Sequence, residues 1–178
     1  MEQSCKNYYG KLPINWCVVK VKDVCESFIG LTYKPADVSA CGTPVLRSSN
    51  IQNSKIDLSD LVRVDCDIDN KLYVCENDIL ICARNGSKKL VGKSAVISNV
   101  KEPMTFGAFM ALCRTPIFNW VFLFLQTNYF YNQLNEKSGT TTINQLTQKS
   151  FNNFILPLPP EAQQRKISYF VKTLLSKL

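Results

Sequence analysis

The sequence predicts an α+β fold in which a single domain holds a mixed or antiparallel sheet. Segments of strand length and of helix length follow one another in no regular alternation, which argues against a sheet built from parallel strand–helix–strand units. Apolar residues make up 46% of the 178 residues, enough for one substantial core. Most of a long segment after Pro116 is apolar around its circumference, so we predict that its aromatic side chains form a buried helix rather than a stacking surface.

The predicted strands are short apolar segments bounded by turn residues. The clearest is 79–83, a continuous apolar run that follows a Glu-Asn-Asp turn and precedes a basic loop around Gly86. The chain returns as a second apolar strand at 90–98, which predicts a hairpin. The other strands are predicted at residues 17–20, 44–47, 61–64, 104–113 and 154–158.

Three helices are predicted before residue 159. A short helix at 21–28 would turn its apolar side chains inward. The aromatic helix is predicted over 116–134, because proline suits the first turn of a helix. A third and short helix is predicted at 143–150. Polar segments are predicted to be loops or turns at 30–42, 53–60 and 135–142.

Residues 159–178 predict an amphipathic helix with one apolar side that lacks a partner within the domain. The pair Pro159-Pro160 and the following Glu161 suit the first helical turn. Apolar residues then recur at the spacing of a coiled-coil seam. We predict that they form a partner interface: Ile167, Phe170, Val171, Leu174, Leu175 and Leu178. The chain thus divides into a domain at 1–158 and the start of a spacer or oligomerisation helix at 159–178.

The net charge of +7 fits a nucleic-acid partner. The same charge would also suit an anionic membrane surface, or would serve only to keep the protein soluble. The longest apolar run is too short to span a bilayer, and the first residues do not form a signal peptide. We therefore expect a cytoplasmic protein with no membrane partner. Its eight cysteines are then expected to be reduced thiols.

The chain lacks the residues that most catalytic and metal sites need. It has no histidine, so neither Ser-His-Asp nor Cys-His arrangements can be assembled. No Cys-x-x-Cys pair and no glycine-rich phosphate loop occur, so we expect no metal and no bound cofactor. The acid-x-Lys pattern at 69–71 is interpreted as a turn, and 158–161 lacks the polar and aromatic residues of a methyltransferase loop.

Three polar stretches mix side chains that read base edges with side chains that hold phosphates. Arginine pairs with guanine, and Asn or Gln pairs with adenine, while Lys and hydroxyl groups contact the backbone. The alternative is that these stretches are ordinary solvated loops, because Asn, Ser and Gly also favour turns for local reasons. The candidate DNA contacts are Arg47, Ser48, Asn50, Gln52, Arg84, Asn85, Ser87, Lys88, Lys89, Lys93, Thr140, Thr141, Thr142, Asn144, Gln145 and Lys149.

Four segments of the chain resemble a known family. They are LPINWCVVKVKDVCE at 12–26, GTPVLRSSNIQNSKID at 42–57, NDILICARNGSKKLVGKSAVI at 77–97 and GTTTINQLTQKSFNNFILPLPPEAQQRKI at 139–167. Together they resemble the target-recognition domain of a type I restriction-modification specificity subunit. Two departures are visible: Asn77 stands where the family usually has glycine, and Ala162-Gln163 stand where a Leu-x-Glu-Gln type sequence is more usual.

The resemblance implies that the domain binds double-stranded DNA and reads one half of a bipartite target. It also implies two kinds of protein partner, a modification subunit that methylates adenine and a separate restriction and translocation subunit. S-adenosylmethionine would bind only to the modification subunit, and the specificity subunit would be non-catalytic. The seam from Ile167 to Leu178 would begin the helix that spaces two recognition domains.

One recognition domain in 178 residues implies either a fragment or a half-subunit that pairs with itself through the C-terminal helix. Two alternatives remain open. In the first, the chain is a non-catalytic scaffold that contacts only proteins; in the second, it is the recognition module of a fused methyltransferase.

Overall fold

The structure is a computed structural model that describes residues 9–138 and 145–175. Its strands are β1 (Cys17–Lys20), β2 (Glu26–Ile29), β3 (Val38–Leu46), β4 (Ile51–Gln52), β5 (Lys55–Ile56), β6 (Val62–Val64), β7 (Ile79–Cys82), β8 (Ser94–Val96), β9 (Thr105–Phe106), β10 (Met110–Arg114) and β11 (Ile155–Leu158). Its α-helices are α1 (Phe118–Leu125), α2 (Asn128–Ser138), α3 (Gln148–Asn153) and α4 (Glu161–Leu175).

The centre of the fold is an antiparallel sheet of four strands in the order β2–β10–β7–β8. Every residue of β7 is buried, because both faces of this sheet are covered. Ile79 and Ile81 point into one core, and Leu80 and Cys82 point into the other. Burial on both faces explains why the sequence of β7 is continuously apolar rather than alternating.

The first core lies between the central sheet and the helices. Trp120, Phe124 and Phe130 are buried there, and edge-to-face packing joins Phe130 to both Phe124 and Phe154. The predicted α+β class and the predicted burial of the aromatic helical segment are therefore confirmed. The second core lies on the opposite face, against side chains of the outer strands and loops: Leu46, Ile51, Val74, Met104 and Phe106.

The outer strands form three smaller sheets. β3 pairs antiparallel with β6 and parallel with β9, with a register shift between Val38 and Thr43. β4 and β5 form a short hairpin, and β1 pairs antiparallel with β11. The last pairing ties the two ends of the domain together, because Cys17 lies opposite Leu158.

Two predictions of local structure near the central sheet are wrong. Residues 21–28 form a single 3₁₀ turn at Val21–Asp23 and then strand β2, which pairs with β10. Tertiary pairing with the sheet thus overrides the helical pattern of apolar residues in this segment. The predicted strand at 104–113 is two strands, β9 and β10, separated by a tight turn that begins at Gly107.

The aromatic segment was predicted as one helix over 116–134, but it is two helices that break at Thr127. The Thr127 hydroxyl donates to the Phe124 carbonyl at 2.7 Å and lies 3.4 Å from the Phe130 amide. A threonine that satisfies the end of one helix and the start of the next favours this break. Thr147 caps α3 in the same manner by accepting from the Ser150 amide at 3.1 Å, so this helix begins at Gln148 rather than 143.

The turn before β7 explains how Asn77 can replace the usual glycine of the family. Asn77 has a φ of +69°, in the left-handed region that glycine and asparagine tolerate best. Its amide donates to the Ile97 carbonyl at 3.0 Å, which joins the turn before β7 to the residue that follows β8. The substitution therefore preserves the backbone conformation.

Helix α4 begins after the proline pair and packs on the domain. The Trp16 indole donates to the Gln163 side chain at 2.8 Å, and the Gln164 amide group donates to the Pro159 carbonyl at 2.8 Å. Ile167 packs against the first core. In the described ranges, 9–138 and 145–175, no helix has the length and apolar character needed to cross a membrane.

Candidate nucleic-acid interface

Polar stretches that lie far apart in the sequence meet at the end of the central sheet where β7 stops. The Asn85 side chain donates to the Ser48 hydroxyl at 3.3 Å, which joins the loop after β7 to the loop after β3. Arg84 forms a backbone bridge with Gln145, so the chain that enters α3 lies beside the same loop. We call this surface the loop cluster and define it as residues 47–49, 84–89, 107–109 and Gln145.

The turn between β9 and β10 fixes the loop cluster to the sheet. The Gly107 amide donates to the Leu46 carbonyl at 3.0 Å, at the end of β3. The Phe109 carbonyl accepts from the amides of Ala83 and Arg84, both at 2.9 Å, at the end of β7. The loops after both strands are therefore held by backbone hydrogen bonds to one turn, which gives the surface a rigid base.

Arg84 and Phe109 form an exposed cation–π pair in the middle of the loop cluster. The guanidinium carbon of Arg84 lies 5.3 Å from the centroid of the Phe109 ring. Phe109 is 60% exposed, which is unusual for a side chain between two buried strands. In the described part of the chain no carboxylate forms an ion pair with Arg84. Its charge is therefore available to a ligand.

The loop after Arg84 presents two lysines to solvent. The Asn85 side chain accepts from the Ser87 amide at 2.9 Å and so shapes the turn before a 3₁₀ helix at Lys88–Leu90. Lys88 and Lys89 are exposed, and neither forms an ion pair with a described residue. Ser87 is also exposed. This loop therefore carries uncompensated positive charge next to Arg84.

The loop after β3 adds a fourth cation, Arg47, that is already paired. Arg47 donates to the Asp60 carboxylate at 2.9 Å, with its side chain 35% exposed. Ser48 is half-buried and accepts from Asn85, while Gln52 is exposed and donates to the Ser49 carbonyl at 2.9 Å. The guanidinium of Arg47 thus contributes less net charge to the surface than Arg84 does.

Asn50 corrects the sequence prediction, because its side chain is used inside the fold. It is 1% exposed, and its amide group donates to the Asp57 carbonyl at 2.9 Å and the Asp60 carbonyl at 2.8 Å. Its side-chain oxygen accepts from the Arg47 amide at 2.8 Å. Asn50 therefore shapes the loop after β3 from within and has no hydrogen-bonding group left for a base.

The remaining candidates of the sequence analysis lie in different places. Gln145 is exposed beside Arg84, whereas Thr140, Thr141, Thr142 and Asn144 lie outside the described residues. Lys149 is exposed on α3, and no described contact joins it to the loop cluster. The preceding residue, Gln148, donates to the Ser27 carbonyl of β2. Lys93 is half-buried, and its carbonyl accepts from the Cys82 amide at 2.8 Å within the central hairpin.

Phe109 is the residue of this surface that the sequence analysis missed. It lies in an apolar stretch predicted as one continuous strand over 104–113, and it was not among the predicted site residues. Gly107 is the signal that could have indicated a turn there. The Gly107 backbone also packs closely on Gly30. A Cβ at position 30 would lie 2.2 Å from the Gly107 carbonyl oxygen, so this position requires glycine.

Two other ion pairs have structural roles rather than catalytic geometry. The buried Asp78 carboxylate accepts two bonds from Arg114, at 2.7 and 2.9 Å, and this pairing raises the pKa of the Arg114 guanidinium. Asp69 and Lys71 form the predicted turn, with an ion pair of 2.8 Å. Among the described residues, no group of three or more Cys, Asp or Glu side chains lies close enough to hold a metal ion.

Burial also affects the pKa of the Cys82 thiol, which lies near the loop cluster. Burial raises the pKa of the Cys82 thiol above its ordinary value, and the neighbouring Lys93 charge offsets part of this shift. The protonated thiol of Cys82 is thus a small core group rather than a nucleophile.

The predicted seam of α4 divides between two environments. Phe170 is 62% exposed and Leu174 is 49% exposed, so both are free to meet another surface. Ile167 corrects the prediction, because it packs against the domain's own first core. Val171 is half-buried, while Leu178 and the side chain of Leu175 lie outside the described part of the chain.

Sequence comparison relates the chain to proteins of one kind. Residues 13–178 match the family model described as the type I restriction modification DNA specificity domain. The chain is 32% identical over 177 residues to the type I restriction enzyme StySPI specificity subunit of Salmonella potsdam. It is equally similar to the type I restriction enzyme EcoKI specificity subunit of Escherichia coli K12, and each match covers 95% of this chain. The chain spans only 38% of the length of these relatives.

Solved structures share the fold. The HsdS subunit from Thermoanaerobacter tengcongensis aligns with 94% of this chain and 39% of its own, at 21% identity and a TM-score of 0.69. A chain from a structural study of complex assembly and conformational transition in the type I R-M system aligns with 98% of this chain and 42% of its own, at 20% identity and a TM-score of 0.72. The match to the family model over residues 13–178 establishes that this chain belongs to the type I restriction modification DNA specificity domain family.

Proposed function

We propose that this chain is a sequence-specific module for double-stranded DNA and that the loop cluster is the surface that contacts the duplex. The observation that carries the proposal is the convergence of three separate polar stretches around the exposed guanidinium of Arg84. Arg84, Lys88 and Lys89 supply cations for phosphates and guanine, and Asn85 and Gln145 supply amide groups for adenine. Family membership supports this assignment.

In this proposal the chain reads one half of a bipartite target for a type I restriction-modification system. It recruits a methyltransferase subunit and a restriction and translocation subunit, and it performs no chemistry itself. S-adenosylmethionine would bind to the methyltransferase subunit. The relatives named above are specificity subunits, which supports this division of labour.

The DNA-binding proposal is tested by titrating duplex DNA at several salt concentrations. The triple variant Arg84→Ala/Lys88→Ala/Lys89→Ala should bind more weakly and should lower the salt slope by roughly 0.9 for each lost phosphate contact. The matched control is Lys22→Ala/Lys71→Ala/Lys101→Ala.

The control removes the same charge from exposed positions near the opposite end of the central sheet. Lys71 lies close to Tyr73, whose carbonyl accepts from Arg114 at the end of β10, and that end of β10 lies beside the start of β7. Equal losses in the two triple variants would reject the loop cluster as the binding surface. Absence of wild-type binding even at low salt would favour a scaffold that contacts only proteins.

The helix that begins at Glu161 is proposed to be the start of a spacer helix that pairs with another helix. Phe170 and Leu174 are its exposed apolar residues, so a second copy of the chain is one candidate partner. If two copies associate in this way, Phe170→Ser/Leu174→Ser should shift the sedimentation coefficient toward that of a monomer. The control Tyr169→Ser changes an exposed neighbour on the same helix and should leave sedimentation unchanged. Identical monomeric behaviour of wild type and both variants would rule out self-association.

A further inference from the structure

We propose that Phe109 is a specificity-determining residue, because its ring orients Arg84 to select guanine at one position of the target. This inference rests on the proposed DNA-binding function and goes beyond it by assigning one side chain to one base. The pair is defined by the 5.3 Å separation between the Arg84 guanidinium carbon and the Phe109 ring centroid. Phe109 is a positioning residue, and Arg84 makes the contact to the base.

The backbone gives this pair a fixed geometry. The Phe109 carbonyl accepts from the amides of both Ala83 and Arg84 at 2.9 Å, so the two side chains leave adjacent points of one rigid junction. Gly107, two residues earlier, is anchored to Leu46 at the end of β3. The backbone therefore places the two side chains next to each other, with 60% of Phe109 exposed.

An exposed phenylalanine at this place lacks a structural reason. The neighbouring Met110 is buried in the second core and carries the packing of the strand, whereas the Phe109 ring lies outside the core. Among the described residues, the Phe109 ring contacts the Arg84 guanidinium. A ring that stacks on a guanidinium leaves the guanidinium edge, with its forked donors, free to face a ligand.

Guanine is the base that fits this arrangement. Arginine donates two parallel hydrogen bonds to the O6 and N7 atoms of guanine in the major groove, and this pairing needs the guanidinium plane in one orientation. A flexible arginine loses side-chain freedom when it makes this contact, and a stacked arginine has lost part of that freedom beforehand. Aromatic stacking should therefore increase both the affinity for guanine at that position and the selectivity against other bases.

The test compares target selection from a random-sequence duplex pool by wild type, Phe109→Trp, Phe109→Leu and Arg84→Lys, with affinities measured on the selected duplex. Leucine keeps the apolar character and much of the volume, and Phe109 is largely exposed, so folding should be unaffected. Circular dichroism and urea unfolding check this. Lysine keeps the charge of Arg84 but lacks the fork.

We expect Phe109→Leu to bind the wild-type target about fivefold more weakly and to lose guanine preference at one position only. Arg84→Lys should lose preference at the same position, and Phe109→Trp should retain it. The salt slope should be unchanged in Phe109→Leu, because no phosphate contact is removed. In the Arg84→Lys background, Phe109→Leu should have little further effect.

Three outcomes would overturn the inference. If Phe109→Leu selects the same sequence as wild type with the same positional preference, Phe109 does not set specificity. If it weakens binding equally for all sequences, the ring contributes only a contact that is independent of sequence. If wild type enriches no sequence, the proposed function fails and the inference fails with it. In the first two outcomes, by contrast, wild type still selects a sequence and only the inference fails.

Discussion

The change Asn50→Ala separates a structural role from a DNA-contacting role at a position that the sequence assigned to DNA. Three side-chain hydrogen bonds of 2.8–2.9 Å connect Asn50 to the backbone of Arg47, Asp57 and Asp60. Each such bond contributes about 1 kcal/mol net, and removal leaves shielded backbone groups without partners. We therefore expect Asn50→Ala to lower the free energy of unfolding by about 3 kcal/mol.

Urea unfolding followed by circular dichroism measures this loss. For a chain of this length, 3 kcal/mol corresponds to a decrease in Tm of roughly 6–12 °C. The matched control is Gln52→Ala, which removes one exposed bond to the Ser49 carbonyl and should cost less than about 0.5 kcal/mol. The reasoning would be refuted if Asn50→Ala unfolded like wild type but lost DNA binding, because the side chain would then act on DNA and not on the loop.

Two further predictions concern the start of β7. Asp78→Ala should lower the free energy of unfolding by about 3 kcal/mol in urea titrations, because it leaves the partly buried Arg114 guanidinium without its carboxylate; a loss below 1 kcal/mol would show that water replaces the carboxylate without cost. Asn77→Val should destabilise the fold by about 1–2 kcal/mol because a β-branched residue is strained at positive φ, whereas Asn77→Gly should be neutral or slightly stabilising. Equal midpoints for the valine and glycine variants would contradict this account of the turn.

Three strands were predicted well from the sequence. β1 was predicted with its observed bounds, and β7 and β11 to within one residue. β7 is an apolar run that is buried throughout, so local pattern and tertiary structure agree there, whereas β1 has no fully buried residue. The α+β class follows from the same irregular order of elements.

The errors have specific causes. Residues 26–29 became a strand because β10 offered an edge to pair with, which no local pattern reveals. The hydroxyl of Thr127 divided the aromatic segment into two helices, and a threonine inside an apolar run is a weak signal of such a break. Helix pattern and strand pattern are also hard to distinguish in short apolar runs.

The candidate site shows what a sequence can and cannot give. Residue types pointed to Arg84, Lys88 and Lys89, and the structure brings their loop next to Ser48 and Gln145. The sequence does not show, however, which residue of a polar stretch is buried, so Asn50 could not be distinguished from its exposed neighbours.

In the same way, the sequence does not show which residue of an apolar stretch is exposed. Phe109 lies between two buried segments and was predicted to belong to one apolar strand with them, although 60% of it is exposed. Both errors arise because side-chain direction at the end of a strand depends on the turn that follows, which only the folded chain defines.

Site-specific photo-crosslinking to duplex DNA tests the central claim most directly, because it reports which surface lies on the duplex without depending on affinity. A photoreactive residue is placed at Ser87 in the loop cluster or at Lys71 near the opposite end of the central sheet, both of which are exposed. The account predicts strong crosslinks from position 87 and background levels from position 71. Crosslinks from position 71 with none from position 87 would contradict it.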